Sequence, residues 1–371
     1  MMANEDDVFS EGEHFRGYVI KRLLGKGGLG AVYLARHEML DSMFAIKVLY
    51  PQIARTASSY VKRFLREAKI SSRIKHPNLV QVHDCGVDPE KEIYYIVMDY
   101  VSGGSLREAL AFSGRLGWFE ASKIVAQVAS ALDAAQQYKL VHRDIKPENI
   151  MLNKSGVAKL VDLGIAKAVG LNDSLQTTVD AVFGTPHYVS PEQSLSPSDV
   201  DVRADIYSLG VVFFEMIAGQ CPFNGKNAPS VLQMVLSDIP VPDVREFNAE
   251  VPADIACLIG RMCEKDRRNR LESPGEVVTS LLRLGYVKPS DIAVSAEYSE
   301  RDESLACVAE ELGVDLSGLS VETEADATFM TDDVEIREFI ARRNRRKFVR
   351  KAVFVIAWLV VAAVVCMILI W

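Results

Sequence analysis

The sequence predicts an α+β protein: a small β-rich half, then a larger helical half, with one membrane-spanning helix at the C-terminal end. Three observations carry the prediction. Residues 16–50 break into short runs of β-branched and aromatic residues around a glycine cluster, the pattern of strands and tight turns. After Gly103–Gly104, apolar residues recur at helical spacing. Finally, 352–371, "AVFVIAWLVVAAVVCMILIW", runs for twenty residues without a charge. A helix of that length, rising about 1.5 Å per residue, spans about 30 Å, the thickness of a bilayer's hydrocarbon core.

The elements follow in order. "RGYVIKRLL", "GAVYLARH" and "MFAIKVL" read as strands, 59–75 as a helical segment and "IYYIVMDYV" (93–101) as a further strand. Within 120–139, Ile124, Val125, Val128, Ala131, Leu132 and Ala135 mark one face of a helix. "DIYSLGVVFFEMIAG" (205–219) is apolar nearly all round, too short to span a membrane and too apolar for a surface, so its predicted place is the centre of the helical lobe. These limits give a tail at 1–15, a folded domain at 16–285, an acidic juxtamembrane linker at 286–341 that is expected to be flexible, a basic segment at 342–351 and the membrane helix at 352–371. No internal repeat interrupts this order.

Charge refines the picture. The formal net charge is −8, but 287–340 holds 15 acidic residues against 3 basic ones, and 342–351 holds 7 basic and no acidic. The folded part is therefore nearly neutral, which argues against nucleic acid as its main partner. With 49% hydrophobic residues the chain has ample core, and global disorder is excluded. The 6 Cys are scattered without a C-x-x-C pair, as expected of reduced structural thiols. Residues 1–13 lack an apolar signal-peptide core. Basic residues just before 352 orient that helix by the positive-inside rule, so the expectation is a single-pass protein of the cell (plasma or inner) membrane, its folded domain cytoplasmic. The same basic residues attract anionic lipid by about 1 kcal/mol each when close to the surface. The chain is expected to end in or just beyond the bilayer, without an outer domain.

The chemistry starts at Gly25-Lys26-Gly27-Gly28-Leu29-Gly30, a G-x-G-x-x-G that fits either a dinucleotide-binding turn or a phosphate-covering hairpin. "AVYLAR" follows it and favours a strand over a helix, hence the hairpin. Lys47 sits in the apolar strand "FAIKVL", costly to bury unpaired; it is either an edge-strand lysine reaching for water or the partner of Glu67 on the next helix, held there to bind phosphate. "VHRDIKPENI" (141–150) packs opposite charges into one loop. Asp144 is placed to accept a proton from a hydroxyl, and Lys146 to neutralise a phosphoryl group. Asn149 and, in "KLVDLGIAK", Asp162 are oxygen ligands for a hard cation such as Mg²⁺. His142 and Arg143 are positioned to shape the loop. Phosphoryl transfer asks for such charge placement and little covalent chemistry.

In these motifs the chain resembles the eukaryotic-like Ser/Thr protein kinases of bacteria. The resemblance covers 16–285, and the matches come in the family's order: GKGGLGAV (25–32), AIK (45–47), Glu67, HPNLV (76–80), HRDIKPEN (142–149), DLG (162–164), GTPHYVSPE (184–192) and DIYSLG (205–210). It implies a bilobal kinase fold binding ATP with Mg²⁺, or Mn²⁺ in its stead, and Ser or Thr hydroxyls of proteins as acceptors. By resemblance, Gly25, Gly27 and Gly30 cover the phosphates; Leu24, Val32, Ala45 and Met151 enclose the adenine; Met98 is the gatekeeper; and backbone groups of Asp99 and Val101 bind the adenine edge. Lys146 with Thr185 points to Ser/Thr specificity. Glu192 is expected to pair with Arg270, and Asp205 to hold the catalytic loop through backbone N–H groups of 142–143.

Three departures stand out: Leu163 for the Phe of D-F-G, Ser190 for the Ala of A-P-E, and Leu29 for an aromatic flap tip. None removes a charge or a metal ligand. Thr177 and Thr178 in "SLQTTVD" are candidate autophosphorylation sites, with Arg143 as a phosphate partner and a kinase dimer as the arrangement for reaction in trans. Two other functional classes compete: a catalytically inactive pseudokinase scaffold, which the presence of Lys47, Asp144 and Asp162 opposes, and a receptor, which needs an outer domain.

Overall fold

The computed structural model describes residues 8–56, 58–162, 186–196 and 199–292. The alternating runs near the N-terminus form β1 (His14–Phe15), β2 (Tyr18–Lys26), β3 (Gly30–His37) and β4 (Met43–Leu49), followed by helices α1 (Pro51–Thr56) and α2 (Ser58–Ser71) and strands β5 (Val82–Asp88) and β6 (Ile93–Asp99). The strands make one antiparallel sheet ordered β1-β2-β3-β4-β6-β5. Register decides what faces where. Val32 lies opposite Lys47, and Ala45 opposite Met98. With a side-chain period of two, these four share one face. Tyr33, Ile46, Val48, Tyr95 and Val97 bury the other.

That second face is closed by the segment predicted as a tail. Phe9 and Phe15 are buried, and each sets its ring 5.2 Å from a core tyrosine, Phe9 on Tyr33 and Phe15 on Tyr95. The Val8 N–H donates to the Tyr33 hydroxyl at 3.0 Å. From residue 8 the chain is thus part of the lobe. Two aromatic residues spaced among acidic ones carry no periodicity, and so gave no sequence signal.

The second lobe is built from α3 (Leu106–Ser113), α4 (Trp118–Gln136), a hairpin of β7 (Ile150–Leu152) and β8 (Ala158–Leu160), then α5 (Pro191–Leu195), α6 (Arg203–Ala218), α7 (Ala228–Leu236), α8 (Ala253–Met262) and α9 (Pro274–Arg283). Ser105 and Glu108 start α3 with a reciprocal capping box. Helix α6 is buried from Ala204 to Ile217 on all sides, the burial its unbroken apolar sequence demands. The lobe runs past Gly285: Val287 and Ile292 are buried, and Gln127 Nε2 donates to the Asp291 carbonyl at 2.8 Å. Residues 286–292, assigned to the linker from sequence, therefore pack on the helices. Among the described residues no helix is long and apolar enough to cross a membrane; the candidate span 352–371 and residues 293–351 lie outside them.

Candidate active site

Helix α6 fixes the loop at 141–150 from below. Asp205, in its first turn, is buried; its Oδ2 accepts the His142 N–H and its Oδ1 the Arg143 N–H, each at 2.7 Å. Burial pushes the Asp205 carboxyl up to about 7, against the pull of those two backbone donors. Both oxygens act as acceptors, the pattern of the ionised form. Arg143 is held at φ 65°, the left-handed region that long side chains rarely adopt. His142 is buried too, and burial drives its pKa down despite the nearby Asp144 charge. The ring is therefore neutral: Nε2–H donates to the Val161 carbonyl at 3.1 Å, and Nδ1 accepts the Asp144 N–H at 3.3 Å.

Pro147, with its fixed φ, opens a 3₁₀ turn over Pro147–Asn149. The turn swings Asn149 back, so that its Nδ2 donates to the Asp144 carbonyl at 2.7 Å and to Asp144 Oδ2 at 3.0 Å. Lys146 Nζ lies 3.0 Å from the same Oδ2. The Asp144 carboxylate is thus oriented by an ammonium and an amide. Because the Val161 N–H donates to the Asn149 carbonyl at 2.9 Å, Asp162, just after β8, arrives beside the turn. It too has positive φ, 53°. From β4, Lys47 reaches over and donates to Asp162 Oδ1 at 2.7 Å. Lys47, Asp144, Lys146, Asn149 and Asp162 therefore meet at the junction of the sheet and the helical lobe. Glu67 lies on α2, but its side chain is outside the described residues.

Above this junction the apolar residues expected around an adenine form one cluster: Ala45, Met98 and Val101 with Val80, and Leu24, Val32 and Met151 packed against them. The Asp99 N–H is committed to the Gln81 carbonyl at 3.0 Å, which narrows its backbone role to the carbonyl. Gly25 lies near the end of β2, Gly30 opens β3, and the Gly27 N–H donates to the Gly30 carbonyl at 2.8 Å. The glycine cluster is therefore a hairpin turn, and the dinucleotide reading, which needs a helix there, falls away. A Cβ at Gly30 would stand 1.9 Å from the Val48 carbonyl oxygen, so only glycine fits. Among the described residues no group of three or more His, Cys, Asp or Glu could hold a metal by itself. Asn149 and Asp162 are oxygen donors of the kind magnesium takes when phosphate and water complete its shell.

Two further sites support the loop. Arg270, its side chain wholly buried, makes a fork to Glu192, Nη1 to Oε1 at 2.5 Å and Nη2 to Oε2 at 2.8 Å. Ser190 caps α5 in a reciprocal box with Gln193, a bond that alanine at this position cannot make. Sequence reasoning missed a third. Arg107 of α3 donates to Glu148 Oε1 at 2.8 Å and Glu215 Oε1 at 2.7 Å, and also to the Tyr188 hydroxyl, which in turn donates to Glu215 Oε2 at 2.6 Å. Glu215, inside the apolar run 205–219, was the available signal, since a nearly buried carboxylate demands a cation. Leu163, Thr177, Thr178 and Thr185 lie outside the described residues.

Comparison with known proteins agrees with this geometry. A family model described as "Protein kinase domain" matches residues 18–283. Serine/threonine-protein kinase PrkC of Bacillus subtilis (strain 168) is 40% identical over 256 residues, covering 69% of this chain and 38% of the relative. Serine/threonine-protein kinase PknB of Mycobacterium tuberculosis (strain ATCC 25618 / H37Rv) is 34% identical over 294 residues, covering 79% and 46%. The crystal structure of the M. tuberculosis PknI kinase domain superposes with a TM-score of 0.59 at 30% identity, covering 75% of this chain and 99% of that one. The chain spans about half or less of the length of the curated relatives it matches, 38% of PrkC and 50% of the PknB of Mycobacterium leprae (strain TN).

Proposed function

This chain belongs to the protein kinase family, in its bacterial-type eukaryotic-like Ser/Thr branch, and we propose that it transfers the γ-phosphoryl group of ATP to Ser or Thr hydroxyls of proteins. One observation carries the reading: Lys47, Asp144, Asn149 and Asp162, up to 115 residues apart, converge on one junction. Asp144 accepts the proton of the acceptor hydroxyl as its oxygen bonds to the γ-phosphorus and ADP leaves; Lys146, 3.0 Å from that carboxylate, steadies the charge on the moving group. Lys47 binds the phosphates. Asn149 and Asp162 are the residues that would hold Mg²⁺, or Mn²⁺, which when bound neutralises the phosphate oxygens. The test is phosphate transfer to a generic protein acceptor by wild type and by Asp144→Asn. Loss of at least a hundredfold in the variant is expected, and equal signal from both would reject the role of Asp144.

The apolar run 352–371 supports an anchor in the cell membrane with the kinase domain cytoplasmic. Alkaline extraction of native membranes checks it: the full chain should stay with the bilayer and a chain lacking 352–371 should not. Thr177 and Thr178 are the proposed autophosphorylation sites, in trans between two kinases. Mass spectrometry after incubation with ATP and Mg²⁺ should find phosphate on at least one of them.

A further inference from the structure

Arg143 holds its left-handed conformation one residue before the base, so the peptide joining Arg143 to Asp144 sets where that carboxylate points. Its nitrogen end is fixed from within the loop, where the Asp144 N–H donates to His142 Nδ1 at 3.3 Å. Its oxygen end is fixed from far away in sequence, for Gln193 Nε2 donates to the Arg143 carbonyl at 3.0 Å. The Gln193 amide is itself oriented: its Oε1 accepts the Ser190 N–H at 3.2 Å and the Ser190 hydroxyl at 3.1 Å. Ser190 is buried, and its hydroxyl in turn accepts the Gln193 N–H at 3.4 Å, closing the cap of α5. The neighbouring Glu192 forks onto the buried Arg270, so α5 is bolted to the helical lobe.

We propose that Gln193 is a positioning residue for Asp144: through the Arg143 carbonyl it fixes the peptide plane that aims the base, and it ties the base to α5. The chemistry of the position selects glutamine. The side chain must accept from Ser190 and donate to a carbonyl with the same planar group. Glutamate satisfies the cap, where it is the usual partner, but has no N–H to offer Arg143 and sets a carboxylate against its carbonyl. Methionine satisfies neither.

That asymmetry makes Gln193→Glu the test, and the proposal rests on the kinase reading above. In the full chain, Gln193→Glu should keep the KM for ATP of wild type and a thermal midpoint within about 4 °C of it while kcat falls at least tenfold; Gln193→Met should lose both kcat and stability. Deuterium uptake of the peptide spanning 142–149 should quicken severalfold in Gln193→Glu, with peptides of α6 unchanged. Wild-type kcat in Gln193→Glu, or unchanged uptake in that peptide, overturns the proposal. So does a parallel loss of stability and kcat, which would make Gln193 only a cap. If wild type itself transfers no phosphate, the kinase reading fails, and the uptake measurement still decides whether Gln193 holds the loop.

Discussion

Replacing Asp205 with asparagine separates stability from catalysis. The carboxylate accepts two backbone N–H groups at 2.7 Å, one on each oxygen. An amide of the same shape keeps one acceptor and turns an NH₂ towards the other donor. The loss is one buried N–H left facing a donor, about 1–3 kcal/mol. Against this stands relief from burying a charge. The carboxyl is raised from 3.8 to about 7, which corresponds to about 4 kcal/mol withheld from the folded state at neutral pH. The two largely offset each other, so the midpoint of urea unfolding should move by an amount equivalent to less than about 3 kcal/mol. Catalysis has no such compensation. With one tether gone, Arg143 can leave φ 65° and Asp144 moves with it; a displacement of about 1 Å typically costs about a hundredfold. The assay pairs urea unfolding with phosphate transfer on the same preparation. Retention of kcat within threefold of wild type would refute the reasoning. So would a kcat that falls only as far as the protein unfolds.

Glu192→Gln leaves the Arg270 guanidinium, with a side chain 0% exposed, without its counter-charge, and should cost about 3–5 kcal/mol; thermal unfolding should start at least about 6 °C lower, and Glu192→Gln with Arg270→Met should recover part of the loss. Burial pushes His76 down to about 4, while its Nδ1 accepts the Asn78 N–H at 3.1 Å. The unfolded chain, titrating near 6.5, then binds the extra proton, so stability is full above about 6.5 and falls by up to about 3 kcal/mol as pH drops towards 4. Unfolding followed from pH 7 to 4.5 should show that slope, and His76→Gln should flatten it. Lys47→Met and Asp162→Ala should each abolish phosphate transfer yet shift unfolding by under about 1 kcal/mol, because their ion pair is 28% and 39% exposed; circular dichroism melts alongside the activity assay check both halves.

Much of the site was legible because its chemistry is local. The loop at 141–150 crowds its charges into ten residues, and a pattern of that density survives without knowledge of the fold. The strand after the glycine cluster was readable from Val32 and Tyr33 and favoured the hairpin that the structure shows. What stayed hidden depends on contacts across long stretches of chain. Gln193 meets Arg143 across 50 residues, and Arg107 meets Glu215 across 108, with no spacing rule to announce either. The domain edges failed for another reason. Phe9, Phe15, Val287 and Ile292 stand in short apolar stretches without strand or helix periodicity, and what buries them is a surface formed elsewhere.

The aromatic clasp has a consequence for the order of events at the ribosome. Residues 8–15 are made early, yet the ring against which Phe15 rests, Tyr95, is translated 80 residues later. Phe9 can settle on Tyr33 as soon as β3 is made, but Phe15 must wait for β6, the last strand of the sheet to emerge. The earliest-made stretch of the lobe is thus fastened in two steps, and a nascent chain halted before residue 95 holds it by the first alone.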